Sequence, residues 1–231
     1  MNEAATTAAY FARLGRDLAS EPDEHKTMQR ILDAAVDTIS ACDMCSISLR
    51  VAGRRVMTPV STDPLVNECD ELQYELREGP CVSSIWEQER YIVEDTRRDS
   101  RFPNWGPLVA EKGIGSIMAA RLFMEEDIMG AINLYSKRPG AFTTENVEQA
   151  IIYQTHATTA LSTARIVTGL KNALDSRHDI GMAQGILMHR YGMTRDSAFE
   201  VLKRYSSHTN VKLRAVAKQV IDAGGLPDDR S

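Results

Sequence analysis

The residue pattern with the clearest chemical consequence lies in an amphipathic segment near the C-terminus. At 100° per residue, Arg177, Gly181, Gln184 and Met188 stack within a narrow arc of a helix, and Gly185 lies beside them. We call these five residues the glycine face. A glycine inside a helix costs about 1 kcal/mol relative to alanine. Two of them therefore indicate a close approach to the backbone, either by another helix, as in a Gly-x-x-x-Gly contact, or by a ligand.

Positive charge surrounds this face, although the whole chain carries a net charge of −5. Residues 1–164 sum to −9 and residues 165–231 to +4, and between Leu170 and Ile221 there are 9 Lys and Arg against 4 Asp and Glu. Such a surface attracts phosphates, and an open helix face offers a flat site for a base. The candidate nucleic-acid-binding residues are Arg177, Gly181, Gln184, Gly185, Met188, His189, Arg190, Arg195, Lys203, Arg204, Lys212 and Arg214.

The cysteines offer a second kind of chemistry. Cys81 follows Pro80 at the start of a predicted short helix, where the helix dipole would favour its thiolate, so it is a candidate redox group; structural burial is the alternative. Cys42, Cys45 and Cys69 do not complete a pattern with zinc-ligand spacing, and no metal or cofactor is predicted. Catalytic motifs are missing and the five histidines are scattered, which favours a non-enzyme and leaves thiol chemistry at Cys81 as the enzymatic alternative.

Apolar rings with a few polar groups are typical of small-molecule sites. A candidate ligand pocket is therefore formed by Cys81, Trp86, Trp105, Met118 and Asn133, and burial in the core is the alternative for each.

The first two thirds of the chain alternate helical and strand-like patterns. Helices are predicted around residues 8–18 and 23–39, followed by a hairpin with strands 45–51 and 56–60 around Gly53-Arg54. A polar stretch over 65–76 separates this hairpin from a short helix at 80–88 and the strand 91–93. Two further strands, 116–123 and 129–135, flank an acidic turn. This order predicts an α+β fold with antiparallel hairpins.

A helix without Gly or Pro is predicted from Glu145 to Thr168. It carries small and apolar residues at spacings that resemble a weak coiled coil, namely Val147, Ile151, Thr158, Leu161, Ala164 and Thr168. The helix could therefore pair with its copy. The alternative is that it only closes the N-terminal domain.

The last third predicts three amphipathic helices that form one compact bundle. The first runs from Leu170 to Tyr191, the second is capped by Thr194 and ends near Ser207, and the third lies between Asn210 and Gly224.

The first part resembles GAF domains over residues 25–165. The residues that carry the resemblance are Glu78-Gly79-Pro80-Cys81, Tyr91-Ile92-Val93 before Asp95, Asp99 to Pro103, Ser116 to Leu122, and Gly130 to Tyr135 before Phe142. The resemblance implies a central antiparallel sheet with flanking helices that binds a small molecule, a cofactor or another copy.

The last part resembles the ANTAR domain of transcription antitermination regulators over residues 170–225. The motif is Arg177-x-x-Ile180-x-x-Ala183-Gln184-Gly185-Ile186-Leu187-Met188-x-Arg190-x-Gly192, followed by Ala198-Phe199-x-x-Leu202 and Asn210-x-x-Leu213. The resemblance implies an all-α three-helix domain, usually dimeric, that binds tandem RNA hairpins in nascent transcripts. Gln184 stands where the family commonly has lysine, so phosphate attraction is expected to rely on Arg177 and Arg190.

Together these patterns predict an N-terminal helix (1–24), a GAF-like sensor domain (25–165), a long linking helix (145–168), an ANTAR-like domain (170–225) and a tail (226–231). The expected protein is a cytoplasmic, homodimeric RNA-binding antitermination regulator without a membrane span. A DNA-binding helix-turn-helix with its turn at residues 190–194 is the alternative, although such a reader would carry its base contacts on the second helix.

Overall fold

The computed structural model describes residues 23–51, 55–124 and 127–226. The chain divides into two compact units at the Ile166/Val167 boundary, and each is described separately. The predicted helix at residues 8–18 and the predicted turn residues Gly53, Arg54, Glu125 and Glu126 lie outside the described ranges. Within those ranges, no helix combines the length and apolar character needed to cross a membrane.

The first unit is built on an antiparallel sheet flanked by helices, which confirms the predicted fold class. Its elements are α1 (Glu24–Thr38), β1 (Met44–Val51), β2 (Arg55–Ser61), α2 (Pro64–Leu76), α3 (Pro80–Trp86), β3 (Arg90–Val93), α4 (Trp105–Glu111), β4 (Ser116–Met124) and β5 (Asp127–Ser136). The strand order is β2-β1-β5-β4-β3. Each adjacent strand pair is antiparallel.

The central strands are held close together at Gly130 on β5. Gly130 lies opposite Leu49 of β1, and a Cβ atom at this position would overlap the backbone carbonyl of Ser48. Only a residue without a side chain lets β1 and β5 approach this closely.

Helix α2 corrects the interpretation of residues 65–76 as a polar connecting stretch. Asp63 caps its N-terminus by accepting a hydrogen bond from the Leu65 backbone N–H at 2.8 Å, and Pro64 occupies the first turn. The inward face of the helix carries Asp70 and Gln73, both fully buried. An amphipathic pattern is missing because this helix buries polar groups.

A single helix, α5 (Thr144–Tyr191, 48 residues), replaces the two helices predicted over 145–168 and 170–191. Gly169 does not interrupt it, since one glycine weakens a helix without breaking it.

Two residues of the predicted pairing seam are buried in the first unit. Leu161 packs in the core with Tyr153 and Ala157, and Ala164 is also buried. The burial of these two residues fits the alternative, that this part of the helix closes the N-terminal domain, whereas Ile151, Thr158 and Thr168 are only half-buried.

The second unit is a helical bundle made of the C-terminal part of α5, α6 (Arg195–Thr209) and α7 (Leu213–Ala223). Its core contains the buried side chains Ala183, Leu187, Ala198, Leu202, Val216, Ala217 and Val220. The Thr194 hydroxyl accepts a hydrogen bond from the Ser197 backbone N–H at 3.2 Å and so caps α6 as predicted.

Candidate nucleic-acid interface

The glycine face is open to solvent in the second unit. A Cβ atom added to Gly181 or Gly185 would meet no other atom within 4 Å apart from the backbone of its own helix turn. Packing of another helix against these glycines is therefore not observed among the described residues. The glycines lie opposite Ala183 and Leu187, which face the bundle core.

The other members of this face combine a charge, an amide and an exposed thioether. Arg177 is exposed and forms no ion pair with the described part of the chain. The Gln184 Nε2 donates a hydrogen bond to the Arg195 carbonyl at 3.1 Å, which links α5 to the first residue of α6. Met188 is 38% exposed. The residues that the sequence pattern grouped together thus lie on one accessible surface of a single helix.

The predicted cations differ in how far their charge is already used. Arg214 lies 3.0 Å from a carboxylate oxygen of Asp179 and 3.6 Å from one of Asp175, so it ties α7 to α5. Lys203 lies 3.5 Å from Glu200 in an exposed pair, which contributes little to stability. Arg214 is therefore better explained by the fold than by a ligand.

The remaining cationic residues lie at separate places on the surface. His189, Arg195, Arg204 and Lys212 are exposed on α5, α6 and at the start of α7. The Arg190 Nη1 donates to the Gly224 carbonyl at 2.9 Å. The positive surface therefore extends over all three helices of the unit.

Beside the glycine face lies an open groove of about 780 Å³, which we call the Met182 groove. Its lining residues are Met182, Gly185, Ile186, His189, Arg190 and Gly224. Met182, Ile186 and Gly224 were not predicted as site residues. The available sequence signal was the i, i+4 spacing of Met182 and Ile186 beside Gly185.

The first unit contains a buried polar cluster, the Asp70 network. Asp70 Oδ2 accepts hydrogen bonds from Ser46 Oγ at 2.6 Å and Thr58 Oγ1 at 2.8 Å. Its Oδ1 accepts from Tyr135 at 2.6 Å and from Asn133 Nδ2 at 3.1 Å. Burial raises the pKa of Asp70 to about 6, although these hydrogen bonds act in the opposite direction. All its partners are uncharged.

The predicted pocket residues belong to several packed clusters of the first unit. Trp105 is buried in the cluster with Phe102, and its Nε1 donates to the Cys69 carbonyl at 3.1 Å. Met118 belongs to a different cluster, whereas Cys81 and Trp86 pack together in another. Asn133 belongs to the Asp70 network.

Cys81 is fully buried, and the expected thiolate is not favoured. Desolvation, followed by the charge of Asp70, raises the pKa of its thiol to about 12. Its backbone N–H donates to Gln73 Oε1 at 2.8 Å, and hydrogen bonds from Ser48, Asn133 and Tyr74 to its sulfur lower the pKa without offsetting burial. Cys81 therefore fits the alternative of structural burial.

Comparison with known families fits this division into two units. The GAF domain model matches residues 21–162 and the ANTAR domain model matches residues 168–221. The chain belongs to the GAF–ANTAR regulators. This architecture is that of a regulatory protein and not of an enzyme, and the sheet and helices above are those of a GAF domain followed by an ANTAR domain.

Solved structures support the fold of the GAF part. A GAF domain of Acinetobacter phosphoenolpyruvate-protein phosphotransferase is 16% identical with a TM-score of 0.55, and the match covers 72% of this chain and 98% of that one. A free methionine-R-sulfoxide reductase from Neisseria meningitidis is 12% identical with a TM-score of 0.56, covering 71% and 93%.

A domain of a putative two-component sensor histidine kinase protein from Sinorhizobium meliloti 1021 is 19% identical, covers 63% and 95%, and has a TM-score of 0.53. At these identities the likeness shows the fold alone. Among curated proteins, none matches this GAF–ANTAR regulator.

Proposed function

We propose that this regulator binds paired RNA hairpins in nascent transcripts and favours the antiterminated form, under control of its GAF unit. It acts in the cytoplasm, where the transcripts are made. The observation that carries the proposal is the open glycine face within a matched ANTAR domain. Its two helix-weakening residues have no packing partner among the described residues, and the unit that contains them carries exposed cations on all three helices.

Electrostatics supports RNA as the partner of the second unit. Phosphates attract the exposed Arg177, Arg195 and Arg204, and an unstacked base of a hairpin loop can lie against a helix backbone that carries no side chain. Duplex DNA is less well suited, because the open backbone belongs to the first helix of the unit, not to a second helix that could enter a major groove.

A second copy of the chain is the proposed protein partner. Val167, Leu170 and Leu174, the Leu170 stripe, are 40%, 66% and 60% exposed at spacings of three and four residues on α5. Burying such a stripe against its copy removes apolar area from water. A Leu170→Glu, Leu174→Glu protein should sediment as a monomer, whereas Leu108→Glu, at an exposed leucine of α4, should leave the mass unchanged.

The thiol-enzyme alternative has weaker support. A free methionine-R-sulfoxide reductase has a similar fold, but Cys81 of this chain is fully buried and the pKa of its thiol is raised. A nucleophilic thiol needs access and a substantial thiolate fraction.

The test begins with a pool of RNAs that contain two short stem-loops with randomised loops. The full chain should capture a defined subset, and the affinity for it should fall steeply between about 50 and 200 mM salt. An Arg177→Ala, Arg195→Ala protein should bind more weakly, with a salt slope smaller by about 1.5.

The matched control is Arg97→Ala, Arg98→Ala, which removes the same charge from exposed positions of the first unit and should bind normally. Adding the chain to a transcription reaction should increase read-through of a terminator that follows the captured RNA. Equal affinity for duplex DNA of the same sequence, or affinity indifferent to salt, would contradict the proposal.

A further inference from the structure

The Met182 groove differs from the glycine face in shape and chemistry. Its floor is the α5 backbone at Gly185, where an added Cβ would have no neighbour within 4 Å. Met182 and Ile186 supply apolar surface; Met182 is 46% exposed, whereas Ile186 also packs against the bundle core. The result is an open, mostly apolar groove against which a planar group can lie.

The polar end of the groove is held in place by the C-terminus of α7. The Arg190 guanidinium donates to the Gly224 carbonyl at 2.9 Å and lies 5.7 Å from the centre of the Tyr191 ring. Gly225 fits closely behind it, since a Cβ there would be 2.8 Å from the Tyr191 hydroxyl and 3.0 Å from Arg190 Cζ. The cation is therefore positioned before any ligand binds, which lowers the entropic cost of binding.

The occupant must be planar, partly apolar and anionic at one end. An unstacked nucleobase has a π face for Met182, Ile186 and the His189 ring, and its phosphate can approach Arg190. An apolar protein segment would not use the guanidinium, and the excess of Lys and Arg between Leu170 and Ile221 favours a polyanion.

We propose that the Met182 groove holds one unstacked base of the RNA loop, while the strand continues across the glycines towards Arg177. This inference rests on the proposed RNA-binding function and adds Met182, Ile186 and Gly224 to the residues that determine which loop is bound. One base in the loop should therefore contribute to affinity through its ring, and its neighbours mainly through their phosphates.

The test combines base removal with a groove-filling substitution. The probe is the paired stem-loop RNA captured by the full chain, prepared as a series with a single abasic nucleotide at each loop position. The groove is filled by Gly185→Leu. The matched control is Gly169→Leu, because Gly169 is also helical in α5 and also has no atom within 4 Å of an added Cβ.

We expect one abasic position to weaken binding by the wild-type chain between about fivefold and 150-fold. Gly185→Leu should weaken binding of the intact RNA by a similar factor and should be insensitive to that same abasic change. Gly169→Leu should behave as wild type. Met182→Ala, which removes one wall without filling the recess, should give a smaller loss at the same position.

If Gly185→Leu and each abasic change weaken RNA binding independently, so that their factors multiply, the groove does not hold a base. The proposed RNA-binding function would still stand. The absence of any captured RNA would overturn the proposed function itself. Ellipticity at 222 nm confirms that each variant is as helical as the wild type.

Discussion

Glycines in the two units have opposite surroundings. In the first unit, side chains at Gly106, Gly115 and Gly130 would overlap the backbone of another segment of the same chain. In the second unit, side chains at Gly181 and Gly185 would enter open space. Packing among the described residues explains the first group of glycines and not the second, which is what an external partner at Gly181 and Gly185 would require.

Charged groups differ between the units in the same way. The carboxyl group of Asp70 is enclosed by neutral donors, and its hydrogen bonds all stay within the first unit. Arg177, by contrast, is exposed on the glycine face. The first unit uses its unusual residues to fix its own interior, whereas the second presents them at its surface.

Gly130→Ala should have the largest effect on stability. Because the new Cβ overlaps the Ser48 carbonyl, strands β1 and β5 must separate, and we expect the free energy of unfolding to fall by about 3 kcal/mol or more. Trp86 and Trp105, both in the first unit, are the only tryptophans, so urea unfolding followed by tryptophan fluorescence measures this unit. An unchanged midpoint would show that β1 and β5 need no glycine here.

Asp70 should make the first unit less stable as the pH rises. Its pKa in the folded protein, about 6, lies above the value near ~4 of an unfolded chain, so the folded state binds the proton more tightly. The contribution is full below about pH 4 and is lost as the pH rises through about 6, a change of about 3 kcal/mol.

The measurement for Asp70 compares urea midpoints by tryptophan fluorescence from pH 4 to 7.5 in the wild type and in Asp70→Asn. The difference between the two curves isolates this carboxyl from all the others. It should change across pH 4 to 6 and stay flat above pH 7, and parallel curves would refute the raised pKa.

Gly185→Ala should have the smallest effect, with the opposite sign. Without a neighbour to clash with, alanine should stabilise the second unit by about 1 kcal/mol. Thermal unfolding followed by ellipticity at 222 nm checks this prediction. The transition of the second unit is the one that tryptophan fluorescence does not detect, because both tryptophans lie in the first unit. Destabilisation would show that the glycine has a structural role within the chain.

Elements whose core-facing residues are apolar were predicted correctly from the sequence. The hairpin β1–β2, strands β3 to β5 and the three C-terminal helical stretches were predicted because their apolar residues repeat with period two or 3.6. Helix α2 was missed because its buried face carries Asp70 and Gln73. The pairing seam kept two interpretations because the same small apolar residues suit a coiled coil or a domain core.

The candidate site was predictable in part. The glycine face was predicted from helical geometry. Its exposure to solvent could not be predicted, since spacing does not distinguish a backbone that faces solvent from one that faces another helix. Contacts between helices that are distant in sequence could not be predicted. They include the ion pairs of Arg214 with Asp179 and Asp175, and the position of Gly224 at the Met182 groove.

The RNA affinity of a series of Gly181 variants shows whether RNA binds against the open helix backbone. Gly181→Ala and Gly181→Leu should weaken binding of the captured RNA stepwise as the side chain grows, while the alanine variant gains about 1 kcal/mol in helix stability. The same two substitutions at Gly169 should leave affinity unchanged. If the RNA affinity of the Gly181 variants stays constant, or rises with helix stability, RNA does not bind against this part of the helix.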